Sequence, residues 1–541
     1  MSSSFLSLTS LLFLATLAHG QTHPLEAAPL PDDGRLHLDD FIITASPLAR
    51  APDEISAPTA VLAGDALARR QRPTLGETLA GLPGVDSTYF GPGASRPVIR
   101  GLGGDRIRVL LGGIGTLDAS VASPDHAVSL EPLLIERVEI VRGPAALLYG
   151  GGAVGGVVNV IDGRIPGELP AGPLSGRFEM RGDTVAEERA VAGVLTGASG
   201  KFAWRLDGFR RETADIAIPS FAETEALLVD HDQAEEGPPV YGTLPNSATG
   251  ARGGAFGLSY IGGSGHVGVA FSGFDSVYEV PGHGHHQEEE EEEEGSGDVR
   301  IDLRQRRGDL HGEWLAPVGL LRAVRFQLGL ADYEHLELEG EEIGTRFENR
   351  AHEGRLELLH GKIDDWEGAV GWQFSRSNFA AIGAEAFMPP AVTRQQAVFA
   401  YEELVRGNMT VQVGARFERQ KIIPAASSEF SPRNHTAKTV TAGLIRRIGR
   451  GGSIALSVSA NERAPNAQEL YANGPHAGTG AYETGDPTLG VEQSRGCDLS
   501  YRHRQGTVTG EVSLFLNRFD GYIHKEATGA EMEGLPVFAF V

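Results

Sequence analysis

From about residue 174 onward, apolar and polar side chains alternate in runs of about ten residues, broken by Gly, Asp and Asn turns. Segments such as GVLTGASGKFAWRLDGFRRE, VRFQLGLADYEHLELEG and QAVFAYEELVRGNMTVQVGARFERQ keep a period of two, which sends successive side chains to opposite faces of a strand. A run of about ten residues is also the length at which a tilted strand crosses a bilayer. Short turns such as GGSG and RGN alternate with long connections at 213–249, 281–298 and 466–492. That asymmetry matches an outer-membrane barrel whose long loops face outside. No later segment supplies the ~20 consecutive apolar residues of a spanning helix, so a membrane crossing here is made by strands. A soluble all-β repeat protein is the competing architecture, but the alternating runs exceed an average globular strand.

Composition narrows the chemistry. The 541 residues carry a formal net charge of -25, which argues against nucleic acid as a partner. A single cysteine, Cys497, excludes an internal disulfide framework and CxxC metal or redox sites, so metal chemistry must use His, Asp and Glu. The tract PGHGHHQEEEEEEE supplies those groups. It places His283, His285 and His286 before Glu288, Glu289, Glu290, Glu291, Glu292, Glu293 and Glu294, and reads as a metal-collecting loop on the extracellular side; the alternative is a solvated acidic loop. No P-loop lysine accompanies the glycine runs, and no nucleophile and base pair marks an enzyme.

The first twenty residues have an apolar stretch from Leu6 to Leu17 and small residues at Ala18 and Gly20, as in a secretory signal, although no Lys or Arg precedes the stretch. Residues 40 to 165 lack the alternation. They contain TLGETLAGLPGV, RPVIRGLGGDRIRVLLGGI and IERVEIVRGPAALLYGGGAVGGVVNVI. In order and glycine placement these motifs resemble the plug of the TonB-dependent outer-membrane receptors. The resemblance implies a mainly β chain, with an α/β plug domain inside a transmembrane antiparallel β-barrel. Its divisions are a signal peptide (1–20), an N-terminal segment (21–50), a plug (51–166) and a barrel (167–541). It implies a monomer in the bacterial outer membrane, contacting lipid and energised by TonB and its inner-membrane complex. Asp40, Phe41, Ile42, Ile43, Thr44 and Ala45 look like the TonB box, a short β-prone peptide near a mobile terminus that the partner captures by strand addition. Arg100, Arg137 and Arg142 are expected to be structural, pairing with carboxylates rather than binding substrate.

Within the plug, SPDHAV sets Asp125 and His126 behind Pro124. The residues alone make a stiff pair of zinc-capable donors or an ordinary solvated turn. The segment resembles that of the TonB-dependent zinc receptors of the ZnuD type, which implies that Asp125 and His126 are metal ligands. Zinc normally takes four donors, so the wall or loops should add others. Period two puts His335 and Glu337 on one face of ADYEHLELEGEE, and His476 lies in a long loop; Glu337, His335 and His476 are therefore nominated on a looser match.

His476 also supports a competing cargo. Arg463, Ala464, Pro465 and then Asp486, Pro487, Thr488, Leu489 flank it as FRAP-like and NPNL-like segments flank a histidine of the haem receptors. Zinc is favoured, because haem gives no reason for HGHHQ beside seven glutamates. A ferric siderophore is third, since an acidic entrance repels an anionic chelate. The resemblance implies a 22-stranded barrel, and about fifteen strands are countable here, so the sequence is expected to be a C-terminally truncated form. A metal-binding remnant without transport is the reading of another class.

Overall fold

The computed structural model describes residues 43–44, 46–143, 146–222, 224, 240–281, 299–340, 342–383, 386–505 and 507–541. The segment read as a signal, most of the segment read as a TonB box and the whole of His283 to Glu294 lie outside these residues.

Residues 59–161 form a five-stranded sheet in the order Thr59–Ala63, Arg137–Arg142, Gly156–Ile161, Ile107–Leu111 and Ile114–Gly115. Its pairings are antiparallel except that between Ile107–Leu111 and Gly156–Ile161. The GVVNVI strand is buried almost throughout, as a near-continuous β-branched run must be when both faces of a sheet are covered. One face, carrying Leu62 and Val138, packs on Leu75, Leu79 and Ile99. The other meets Leu147, Leu148 and the wall residues Ala323 and Phe399. Each fully buried Leu, Val or Ile contributes roughly 1.5–3 kcal/mol, so the plug has a core of its own and a second one shared with the wall.

The wall is a 15-stranded sheet running in chain order from Leu174–Gly182 to Gly510–Asp520, each pair of neighbours antiparallel. Alternation decides its two faces. Trp372, Val398, Phe417 and Val440 are exposed outward, whereas Gln373, Arg416 and Glu418 are buried against the plug. The count agrees with the alternation in the sequence; the lengths do not. Several strands are far longer than ten residues, Leu321–Glu339 having 19 and Glu342–Ile363 having 22. A strand of 22 residues extends roughly 70 Å at about 3.3 Å per residue, well beyond an apolar band ~25 Å tall, so its upper part stands clear of the membrane and can carry a site. The connection 466–492 is not a plain loop: it contains the helix Ala467–Tyr471 and the hairpin Asn473–His476/Ala481–Thr484. Among the described residues no helix is long and apolar enough to cross a membrane.

Wall side chains hold the plug by its backbone. Arg502 Nη1 donates to the Ile55 carbonyl at 2.6 Å, Arg307 Nη1 to that of Gly115 at 2.8 Å and Gln412 Nε2 to that of Glu54 at 2.7 Å. Arg100 pairs with the wall carboxylate of Asp498 at 2.6 Å, and both side chains are buried. Gly143 passes directly over that carboxylate with φ +74°; a Cβ there would lie 2.7 Å from Asp498 Oδ2, so both conformation and space require glycine. Arg137 instead pairs within the plug, with Glu139 at 3.0 Å, and Arg142 forms no ion pair with a described carboxylate.

The described part of the Asp40–Ala45 segment differs from a free peptide. Ile43 is fully buried in the core shared by plug and wall, its amide donating to the Arg50 carbonyl at 2.8 Å. Thr44 Oγ1 meets the Glu139 carboxylate at 2.9 and 3.0 Å. An apolar residue finds more favourable surroundings there than in water, which is why this end is tucked in.

Candidate metal centre at the plug apex

Three of the five nominated donors converge. His126 Nε2 lies 3.2 Å from Glu337 Oε1, and His335 Nε2 lies 3.6 Å from the same oxygen. One ligand atom from each residue fits within 4.8 Å of the others, and all three residues are buried. His335 and Glu337 meet because both point inward from the top of the Leu321–Glu339 strand; His126 reaches them from a plug turn closed by its amide bond to Ser123.

Hydrogen bonds orient both imidazoles. His126 Nδ1 faces the Ala119 carbonyl at 3.1 Å. A carbonyl only accepts, so Nδ1 carries a proton; the protonated ring also donates from Nε2 to Glu337, and loss of that second proton leaves an Nε2 lone pair directed at the same place, available to an ion. Burial alone would lower the His126 pKa, but the Asp125 and Glu337 carboxylates outweigh it and raise the value. His335 Nδ1 lies 2.9 Å from the Tyr333 hydroxyl, and its buried Nε2 has no hydrogen-bond partner. Phe347, opposite His335 on the next strand, stacks on that ring at 4.5 Å and meets His126 edge-on at 4.8 Å. The result is a carboxylate and two oriented imidazoles, all buried, with Phe347 against both rings, a donor set suited to zinc or another borderline ion.

Asp125 and His476 stand beside this cluster rather than in it. Asp125 accepts a hydrogen bond from Ser123 Oγ, and Ser123 Oγ is 2.9 Å from His476 Nε2. The other nitrogen of His476 faces Glu483 at 3.0 Å, Glu483 also receives Lys525 Nζ at 2.7 Å, and Phe387 stacks on the His476 ring at 4.1 Å. Gly478 closes over Asp125 so tightly that a Cβ there would collide with Oδ1. Ser123, Tyr333, Phe347, Phe387 and Glu483 are not nominated from sequence. Tyr333 shares the inward period of His335 and Glu337 and was findable by that rule; nothing local marks the others.

Glu483 lies outside the wall. Burial would raise its pKa, but His476 and Lys525 together depress it from about 4.5 to about 2. A depressed carboxylate stabilises the fold fully above its unfolded value, and the contribution fades as pH falls toward the folded one. Glu483→Gln is therefore expected to lower the unfolding temperature at pH 6, with the gap from wild type closing as the pH falls below about 4.5. A gap that stays constant down to pH 3 would show that the charge contributes nothing.

Two family models match the chain: "TonB-dependent Receptor Plug Domain" over residues 51–157 and "TonB dependent receptor-like, beta-barrel" over residues 241–534. The chain belongs to the TonB-dependent receptors. These are bacterial outer-membrane proteins, and the plug and long antiparallel wall of this receptor are their architecture. Over 183 residues it is 32% identical to the vitamin B12 transporter BtuB of Photobacterium profundum. That alignment spans 33% of this chain and 28% of BtuB, less than a third of the relative's length. Solved structures with the same fold include the copper transporter OprC, with a TM-score of 0.67 at 14% identity over 86% of this chain and 71% of that one. The Serratia marcescens hemophore receptor HasR, solved with its hemophore and haem, matches with a TM-score of 0.69 at 12% identity over 90% of this chain and 77% of that one. At these identities the likeness is one of fold.

Proposed function

We propose that this receptor takes up a metal ion, zinc in the first place, binding it at the plug apex and passing it inward when TonB engages the N-terminal segment. The observation that carries the reading is the buried convergence of His126, His335 and Glu337, drawn from plug and wall. A site shared in this way is broken when the plug moves, so force on the plug becomes release of the ion. The neighbouring Asp125–Ser123–His476 link holds a carboxylate and an imidazole, either of which, freed by a small shift of Ser123, would complete a four-donor shell. The tract His283 to Glu294 would collect ions by weak multiple contacts. Haem is less well served: His476 is 4% exposed and its ring is stacked on Phe387, so a porphyrin would need a far larger displacement than an ion.

The test is zinc binding to the full chain in detergent. Wild type is expected to bind one ion tightly and others weakly. Asp125→Ala/His126→Ala should lose the tight site, and deletion of His283 to Glu294 should lose only the weak ones. Tight binding that survives the double substitution overturns the site, and haem binding without zinc binding overturns the cargo.

A further inference from the structure

A second pair of imidazoles lies at the other end of the lumen wall. His266 opens the strand Gly265–Glu279, just after the short turn that follows Gly262, and His311 sits on the neighbouring strand Val299–Val318. The register sets Glu313 opposite His266 and His311 opposite Gly268. Val267, Val269 and Trp314 are exposed on the outer face, so alternation directs His266, His311 and Glu313 inward. Gly167, in the connection between plug and wall, runs beside His266; a Cβ there would lie 3.9 Å from both Cε1 and Nε2 of the ring.

The two rings meet edge to face, 5.1 Å between centroids and 84° between planes. His266 Nε2 is buried without a hydrogen-bond partner, and no hydrogen bond to a described residue involves the His311 ring. The rings of His126, His335 and His476, in contrast, are each oriented by hydrogen bonds. An imidazole has one lone pair and one N–H to satisfy when neutral, and an unmade hydrogen bond at a buried polar atom is costly. A cation between the two rings would take up both lone pairs. Glu313, opposite His266 on the neighbouring strand and held by Arg325 at 2.6 Å, is the nearby carboxylate that an ion could draw away from Arg325. Arg325 Nη1 also binds the Pro47 carbonyl at 2.6 Å, which places the pair at the same end as the segment that leads to the TonB box.

We infer that His266 and His311, with Glu313, form a second cation site on the lumen wall, a lower station for an ion of the zinc class after it leaves the plug apex. The inference rests on the metal reading of the apex site. His311 is in register with Gln327, eight residues from His335 along one strand, so the stations are roughly 27 Å apart at about 3.4 Å per residue.

The experiment uses the full chain lacking only His283 to Glu294, titrated with Zn²⁺ in detergent. His266→Gln/His311→Gln is expected to lose one equivalent and keep the apex ion, whereas His126→Ala/Glu337→Gln should lose the apex ion and keep the other. If the first variant binds as many ions as its parent, the lower site is overturned while the apex reading stands. If the second variant loses nothing while the first loses one ion, the apex reading fails and the lower site stands. As a check independent of substitutions, Zn²⁺ should protect His266 and His311 of the unaltered chain from diethyl pyrocarbonate, read by mass spectrometry; modification at undiminished rates overturns the site.

Discussion

Replacing Glu337 by glutamine is expected to weaken zinc binding at the plug apex by about 100-fold, or about 2.8 kcal/mol, while leaving the fold intact. One oxygen of Glu337 faces both His126 Nε2 and His335 Nε2, at 3.2 and 3.6 Å. Glutamine has the same shape, so Phe347 and both rings keep their packing; what goes is the negative charge that offsets that of the cation. Loss of a hydrogen bond behind a ligand already costs about 10–100-fold in metal affinity, and loss of a charged ligand in a buried setting belongs at or above the top of that range. Competition against a chelator of known affinity measures the effect. Wild-type affinity in the variant would remove Glu337 from the site.

The second large effect concerns the anchoring of the plug. Arg100→Ala is expected to destabilise the receptor by about 3–5 kcal/mol, because it leaves Asp498 buried without its cation. The Arg100 side chain also covers the Phe515 ring, its guanidinium carbon 4.1 Å from the centroid, so packing is lost with the charge. No relief of strain offsets the loss, because the φ of 53° at Arg100 costs a non-glycine residue about as much in alanine as in arginine. Adding Asp498→Asn to Arg100→Ala should recover part of the loss, since the stranded charge is gone. The urea midpoint reports both variants, and an additive double-substitution cycle would show that the two side chains act independently.

Much of this architecture can be read before any coordinates. Period-two alternation finds the wall strands because each separates a lipid face from a polar lumen, and the same rule puts Tyr333, His335 and Glu337 on one side. Strand length is harder to read: above the membrane the outer face becomes charged, as at Glu334, Arg346 and Arg350, and the contrast that marks a strand fades although its ladder of hydrogen bonds continues. The meeting of His126 with Glu337 spans 211 positions, a separation across which no local pattern reaches; only the resemblance to zinc receptors suggests it. The local motif also fails to fix the direction of Asp125, whose carboxylate turns to Ser123. That outcome depends on His476, which is held by a hairpin more than three hundred residues away.

The depth of the apex donors bears on rates as well as affinity. His126, His335 and Glu337 are all buried, and the loop at Gly478 lies directly over Asp125, so an ion reaches them only in the fraction of molecules whose cover has opened. Where the cover closes equally over the empty and the filled site, that fraction slows loading and unloading alike and leaves the dissociation constant unchanged. If the apex takes a metal ion as proposed, such a receptor would hold it with a long residence time, ignore brief pulses of free metal, and fill according to the external concentration averaged over the lifetime of the closed state.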